Sequence, residues 1–129
     1  MNREIEFRAW LKKHLKIVNV KRIDFEAQEI VYDEIDFEYE DVIREKTALF
    51  KDISLLQYTG LKDKNGVEIY EGDIVKCKIG NVDFKGYVYF YGGRFEFIDF
   101  EDDEETEFLC YCDELEVIGN IYENKELLV

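Results

Sequence analysis

The 129-residue chain is 47% hydrophobic and 16% aromatic, enough to build a core and well outside the disordered class. Its 17 basic residues face 31 acidic ones, and the formal net charge of −14 opposes both nucleic-acid phosphates and anionic membrane surfaces. A basic partner, or plain solubility, suits that charge better.

The length fits one domain, or one small domain with an appended part. Through Asp24, seven basic residues meet three acidic ones, a surplus of four, so the remainder carries −18. A basic end and an acidic body could pair within one molecule or between copies; local solvation of each part is the reading that surface charge favours. Three cysteines, and a start of Met1-Asn2-Arg3-Glu4-Ile5-Glu6 with no apolar stretch, predict a soluble protein in a reducing cytoplasm. No apolar run approaches the length of a membrane span.

Ile5 to Trp10 alternates apolar and polar residues, the mark of a half-buried strand. Leu11 to Leu15 reads as a basic connection, Ile17 to Phe25 as a mostly alternating strand, and Glu29 to Tyr32 as a returning one. These make an N-terminal antiparallel meander over residues 1–54. Within it, Asp41 to Lys51 reads as a short helix with Val42, Ile43, Leu49 and Phe50 near one face, or as a loop running into a strand at Ile53.

Residues 55–129 read as plain β. Strands are predicted over Leu55–Tyr58, Ile74–Ile79, Val82–Tyr91, Arg94–Phe100, Phe108–Cys112 and Val117–Ile121, with turns at Gly80-Asn81 and Gly92-Gly93. Asn65-Gly66 marks a tight hairpin and Glu71-Gly72-Asp73 a second turn. Lys62, Asp63 and Lys64 read as a solvated approach to that hairpin, and Tyr58, Ile69 and Tyr70 as core. Gly86, inside a strand pattern, suggests a bulge or a coiling point. Short strands joined by Gly-rich turns predict a mainly β chain with little helix, its C-terminal part a small barrel or sandwich. The tail from Tyr122 reads as a helical turn or an edge segment.

Few residues suggest chemistry. Cys110 and Cys112 share one strand face, with Cys77 elsewhere, but their spacing is wrong for a zinc turn, so all three read as core or half-buried thiols. The acidic segment Glu101, Asp102, Asp103, Glu104, Glu105 and Glu107 lacks the glycine of a calcium loop and reads as a solvated loop; it is also the candidate interaction surface. His14, the only histidine, sits among lysines with no nucleophile pattern beside it. The sequence therefore predicts no enzyme, no metal and no cofactor. Tyr87, Tyr89 and Tyr91, and Phe95 with Phe97, each line one strand face; in an acidic body they read as core packing before a binding face.

Three longer stretches carry a family resemblance: Arg3 to Trp10, Leu56-Gln57-Tyr58-Thr59-Gly60-Leu61-Lys62-Asp63-Lys64-Asn65-Gly66 through Tyr70-Glu71-Gly72-Asp73-Ile74-Val75, and Leu115 to Asn124. On these the chain resembles the YopX family of phage and prophage proteins of Gram-positive bacteria. The chain departs from the family pattern at Leu11-Lys12-Lys13-His14, at Lys125 and throughout Asp33–Asp52. The resemblance implies an SH3-like barrel in the C-terminal part, preceded by a smaller β-rich part, and carries no catalytic residues onto this chain. It implies a phage accessory protein, for which the sequence suggests an unidentified host or phage protein as partner, or a homo-oligomer. The alternative is an acidic nucleic-acid mimic that inhibits a host DNA- or RNA-binding protein.

Overall fold

The structure, a computed structural model, describes residues 3–101, 106–108 and 112–128, the last-but-one segment by its backbone alone. Antiparallel, curled sheets dominate, and helix is confined, among the described residues, to short 3₁₀ turns such as Phe50–Asp52 and Lys125–Leu128. The chain divides into two compact units, Glu6–Leu56 and Gln57–Val129 with Met1–Ile5.

In the first unit, β1 (Phe7–Leu11) and β2 (Lys16–Asn19) form a hairpin, with Leu11 opposite Lys16 and Arg8 opposite Asn19. A second antiparallel sheet runs in the order β3 (Arg22–Asp24), β4 (Glu29–Asp36), β5 (Val42–Leu49). Ala9, Leu11, Ile30, Tyr32 and Ile53 close the core of this unit, with Val18, Val20 and Ile23 packed against it. Alternation along β1 sets Ala9 inward as the pattern predicts, while Leu11, read as the start of the connection, instead ends β1 and is buried.

The helix read over Asp41 to Lys51 is not there. Val42–Leu49 is an eight-residue strand paired residue for residue with β4, from Asp36 opposite Val42 to Glu29 opposite Leu49. Three causes favour the strand. β-branched Val42, Ile43 and Thr47 suit a pleated sheet; Glu40 and Asp41 take positive φ (55° and 58°) to turn the chain at the tip; and charged pairs form across the strands. Arg44 Nε lies 3.2 Å from Asp36 Oδ2, while Glu45 takes both Arg22 (3.1 and 2.9 Å) and Lys21 (2.9 Å). Hydrogen bonds from Arg22 first, then Lys21, hold the Glu45 carboxyl down to about 2. The apolar face that a helix would bury is mostly in solvent, with Ile43 64% exposed.

The second unit takes up the end of β6 (Ile53–Lys62), which turns back into β7 (Glu68–Tyr70). Beyond it lies a five-stranded antiparallel sheet in the order β11 (Thr106–Phe108), β10 (Arg94–Asp99), β9 (Val82–Tyr91), β8 (Asp73–Ile79), β12 (Glu114–Asn120). Gly92 and Gly93, at φ 61° and 81°, make the two-residue β9–β10 turn that the sequence predicts, since a turn matching the strand twist needs positive φ at both positions. The core is Ile69, Val75, Cys77, Val88, Phe97 and Leu115. β12 slips register between Val117 and Gly119, where it passes β8.

Candidate functional site

Of the predicted acidic surface, Glu101 is exposed just after β10, and its amide donates to Asp99 Oδ1 at 2.7 Å. Asp102, Asp103, Glu104 and Glu105 lie outside the described residues, as does the side chain of Glu107, whose backbone belongs to β11. Glu101 and Asp99 flank an open cavity of about 470 Å³ whose other charged lining is Lys76, Asp83 and Lys85, over Phe84, Phe100 and Leu127. The charge there is mixed rather than uniformly acidic.

β9 and β10 place the aromatic residues. In register, Gly86, Val88, Phe95 and Phe97 share the core-facing side, and Val88 and Phe97 are buried. Tyr87, Tyr89 and Tyr91 take the opposite face, so the core reading holds for Phe97 and fails for Tyr89 and Tyr91, while Tyr87 is half-buried. Tyr89 is 49% and Tyr91 65% exposed, because strand alternation turns them away once Val88 fills the core. Tyr87 lies edge-on to Tyr89 with ring centres 6.3 Å apart and stacks on Phe100 at 5.8 Å. The tyrosine strip therefore runs straight to the start of the acidic segment at Glu101. Opposite Tyr91 and Tyr89 stand Arg94 and a buried Glu96, joined at 2.7 Å.

The cysteines also differ from expectation. Cys77, fully buried in β8, forms a disulfide with Cys112, their Cα atoms 5.8 Å apart. β12 lies beside β8 with Leu115 opposite Cys77, and the Asp113 amide donates to the Lys78 carbonyl at 2.7 Å, so the approach to β12 passes alongside Cys77. Cys110 lies outside the described residues.

The family described as YopX protein matches residues 6–129 of this sequence. The chain belongs to the YopX family. Among solved structures, protein EF1440 from Enterococcus faecalis is 27% identical with a TM-score of 0.65, covering 99% of this chain and 100% of its own. YopX from Bacillus subtilis is 20% identical with a TM-score of 0.62, covering 96% of this chain and 98% of its own, a likeness of fold. No curated protein matches the chain. No helix among the described residues is long and apolar enough to cross a membrane.

In this YopX-family chain the block from Leu56 to Val75 is full of carboxylates that hold backbone. Asp63, read from sequence as solvated, is only 7% exposed. The amides of Asn65 and Val67 donate to its Oδ1 at 2.8 and 2.9 Å, and that of Val117 donates to Oδ2 at 3.0 Å. Burial alone would raise its pKa, but these donors outweigh it and the carboxyl sits below its ordinary value. Asp73 Oδ2 accepts from the Tyr70 amide at 2.8 Å, closing the turn at Gly72, and Glu71 accepts from the Gln57 amide at 3.0 Å. Burial pushes the Glu71 carboxyl up. Tyr58 and Tyr70 are buried as expected, their rings 5.5 Å apart.

Asp63→Asn keeps the acceptor for Asn65 and Val67 but turns an amide group on the Val117 N–H. It is expected to cost about 2–3 kcal/mol, the range for stranding a buried donor. A carboxyl depressed in the folded state stabilises above its unfolded value, 3.8, and loses that contribution as pH falls through the folded one. Urea denaturation at neutral and acid pH should show the variant weaker near pH 7 and the gap closing below about pH 4.

Proposed function

We propose that the chain is a protein-binding accessory module rather than an enzyme, and that its partner is a host or phage protein with a basic surface. The observation that carries this is the tyrosine strip of β9, open to solvent at Tyr89 and Tyr91 and continued by Phe100 to the acidic Glu101. Tyrosine and arginine anchor protein interfaces because they bring large rigid area together with a polar tip, and Arg94 stands opposite Tyr91. A net charge of −14 selects a basic partner and speeds its encounter. Asp63, Glu71 and Asp73, each engaged by backbone donors, are better explained as architecture than as acid–base groups.

The curled sheet of the second unit is read as an SH3-like barrel, a scaffold that presents the strip on rigid strands; this is analogy at the level of fold. The phage or prophage setting and the cytoplasmic location belong to the same reading. The nucleic-acid-mimic alternative gains little from Glu101, because the cavity it flanks mixes Lys76 and Lys85 with Asp83 and Asp99 instead of presenting a run of carboxylates. Affinity capture from host cells, run at about 50 and 500 mM salt, tests the proposal, since exposed charge is screened over that range. The expected result is a basic protein retained at low salt and released at high salt. Recovery of no protein at either salt, with the chain sedimenting as a monomer, would overturn it.

A further inference from the structure

β5 is an open sheet edge. Its sheet runs β3, β4, β5, so β4 alone flanks it, and every residue of the strand except Ala48 is exposed. The Phe50 amide donates to the Gln28 carbonyl at 2.8 Å, in register with the Glu29–Leu49 pair. Antiparallel pairs alternate between bonded and non-bonded, so Ala48, Lys46 and Arg44 turn their backbone groups to β4, while Thr47, Glu45 and Ile43 turn theirs outward. Among the described residues no backbone group meets those outward N–H and C=O groups.

Proteins blunt such edges with proline, a bulge, shortness or charge. β5 has no proline and no slip against β4. The other sheet edges among the described residues are three or four residues long or, in β12, slip register. Of the three charges at the middle of β5, Arg44 is held back by Asp36, and Glu45 by Arg22 and Lys21. Only Lys46 is left to guard the edge. Pairing with a second copy about a two-fold axis is opposed by charge: centred on Glu45 it sets that residue against itself and Arg44 against Lys46, and centred on Lys46 it sets lysine on lysine.

We propose that β5 accepts an added antiparallel strand from a different protein. The outward groups repeat at the spacing of an extended chain, which another extended backbone matches along its length. Side chains choose the segment. Ile43 is 64% exposed beside Ile35, and Leu49 is exposed at the far end, so both call for apolar neighbours; Lys46 calls for an acid. An antiparallel segment ends at the β4–β5 tip, where Glu38, Glu40 and Asp41 are exposed and make no ion pair among the described residues. Its C-terminal end therefore carries lysine or arginine. The edge belongs to the Glu6–Leu56 unit and does not rest on the reading of β9, which lies in the other unit.

Amide hydrogen exchange of the whole chain, read by NMR, tests this with the end-blocked peptide Val-Thr-Val-Glu-Thr-Thr-Val-Lys-Lys. The control peptide carries proline at its fifth residue, whose N–H would face Glu45. The first peptide should slow exchange at Ile43, Glu45 and Thr47 saturably, by about tenfold at ten times the midpoint concentration, and the control should not. Thr47→Pro removes one outward donor and no ladder bond, and should raise the midpoint about tenfold. Ile43→Lys, at an exposed position, should raise it as well and serves if Thr47→Pro proves unstable. Unchanged exchange at the three amides, equal protection by the proline peptide, or midpoints indifferent to both substitutions would overturn the proposal. Protection of the same amides by rising protein concentration without peptide would also overturn it, since a second copy would then be the occupant.

Discussion

Gly86→Ala is expected to destabilise the chain by about 2–4 kcal/mol, although alanine ordinarily improves a strand position occupied by glycine. Gly86 lies in the middle of β9, opposite Val75 of β8 and Asp99 of β10, with no slip of register on either side. The glycine is therefore not a bulge. It is required because a Cβ there would strike the Ile98 carbonyl oxygen and lie 2.7 Å from both Cε2 and Cζ of Phe97. The oxygen belongs to the backbone of the adjoining strand, and Phe97 is a core residue, so neither can move without opening the ladder or the core. Gly66→Ala is the control: nothing lies within 4 Å of its Cβ, though its φ of 81° carries a cost of about 1 kcal/mol. Urea midpoints should place Gly86→Ala well below Gly66→Ala; equal midpoints would mean the close approach is absent.

Opening the Cys77–Cys112 bridge should cost a comparable amount. The cysteines are 35 residues apart, and freeing a loop of that length in the unfolded chain is worth about 3–4 kcal/mol on loop-closure entropy. Thermal melts with and without dithiothreitol should differ by about 10 °C, and Cys112→Ser should reproduce the reduced value. Cys112→Ser is preferred to Cys77→Ser because the latter would also bury a hydroxyl in the core. Identical melts would show that the thiols stand unbridged. In a reducing cytoplasm the reduced form governs, and the melt in dithiothreitol then reports the working stability.

Legibility followed the range of the cause. Val82–Tyr91 and Arg94–Asp99 were readable because alternation and the Gly92-Gly93 turn are local signals. The same alternation separated Tyr89 from Val88 without saying which side faces inward, since that depends on what Val75 and Phe97 bring from neighbouring strands. β5 was misread because its eight residues carry helix-compatible spacing, and the ion pairs that fix it as a strand come from Arg22 and Asp36 outside the window. Asp63 looked solvated between two lysines, and its third donor is Val117, 54 positions away. The Cys77–Cys112 pairing is likewise a product of strand order, which no short stretch of sequence contains.

The claim at the centre is that binding resides on the outer face of β9 while the Leu56–Val75 block builds the scaffold. Quantitative capture by the wild type and by Tyr89→Ser/Tyr91→Ser, at matched folded concentration and with melts recorded for both, tests it most directly. Both tyrosines are exposed, so the melting temperature should be unchanged while the captured partner falls at least about tenfold, the loss of one or two interface anchors. Undiminished capture by the folded double variant would contradict it.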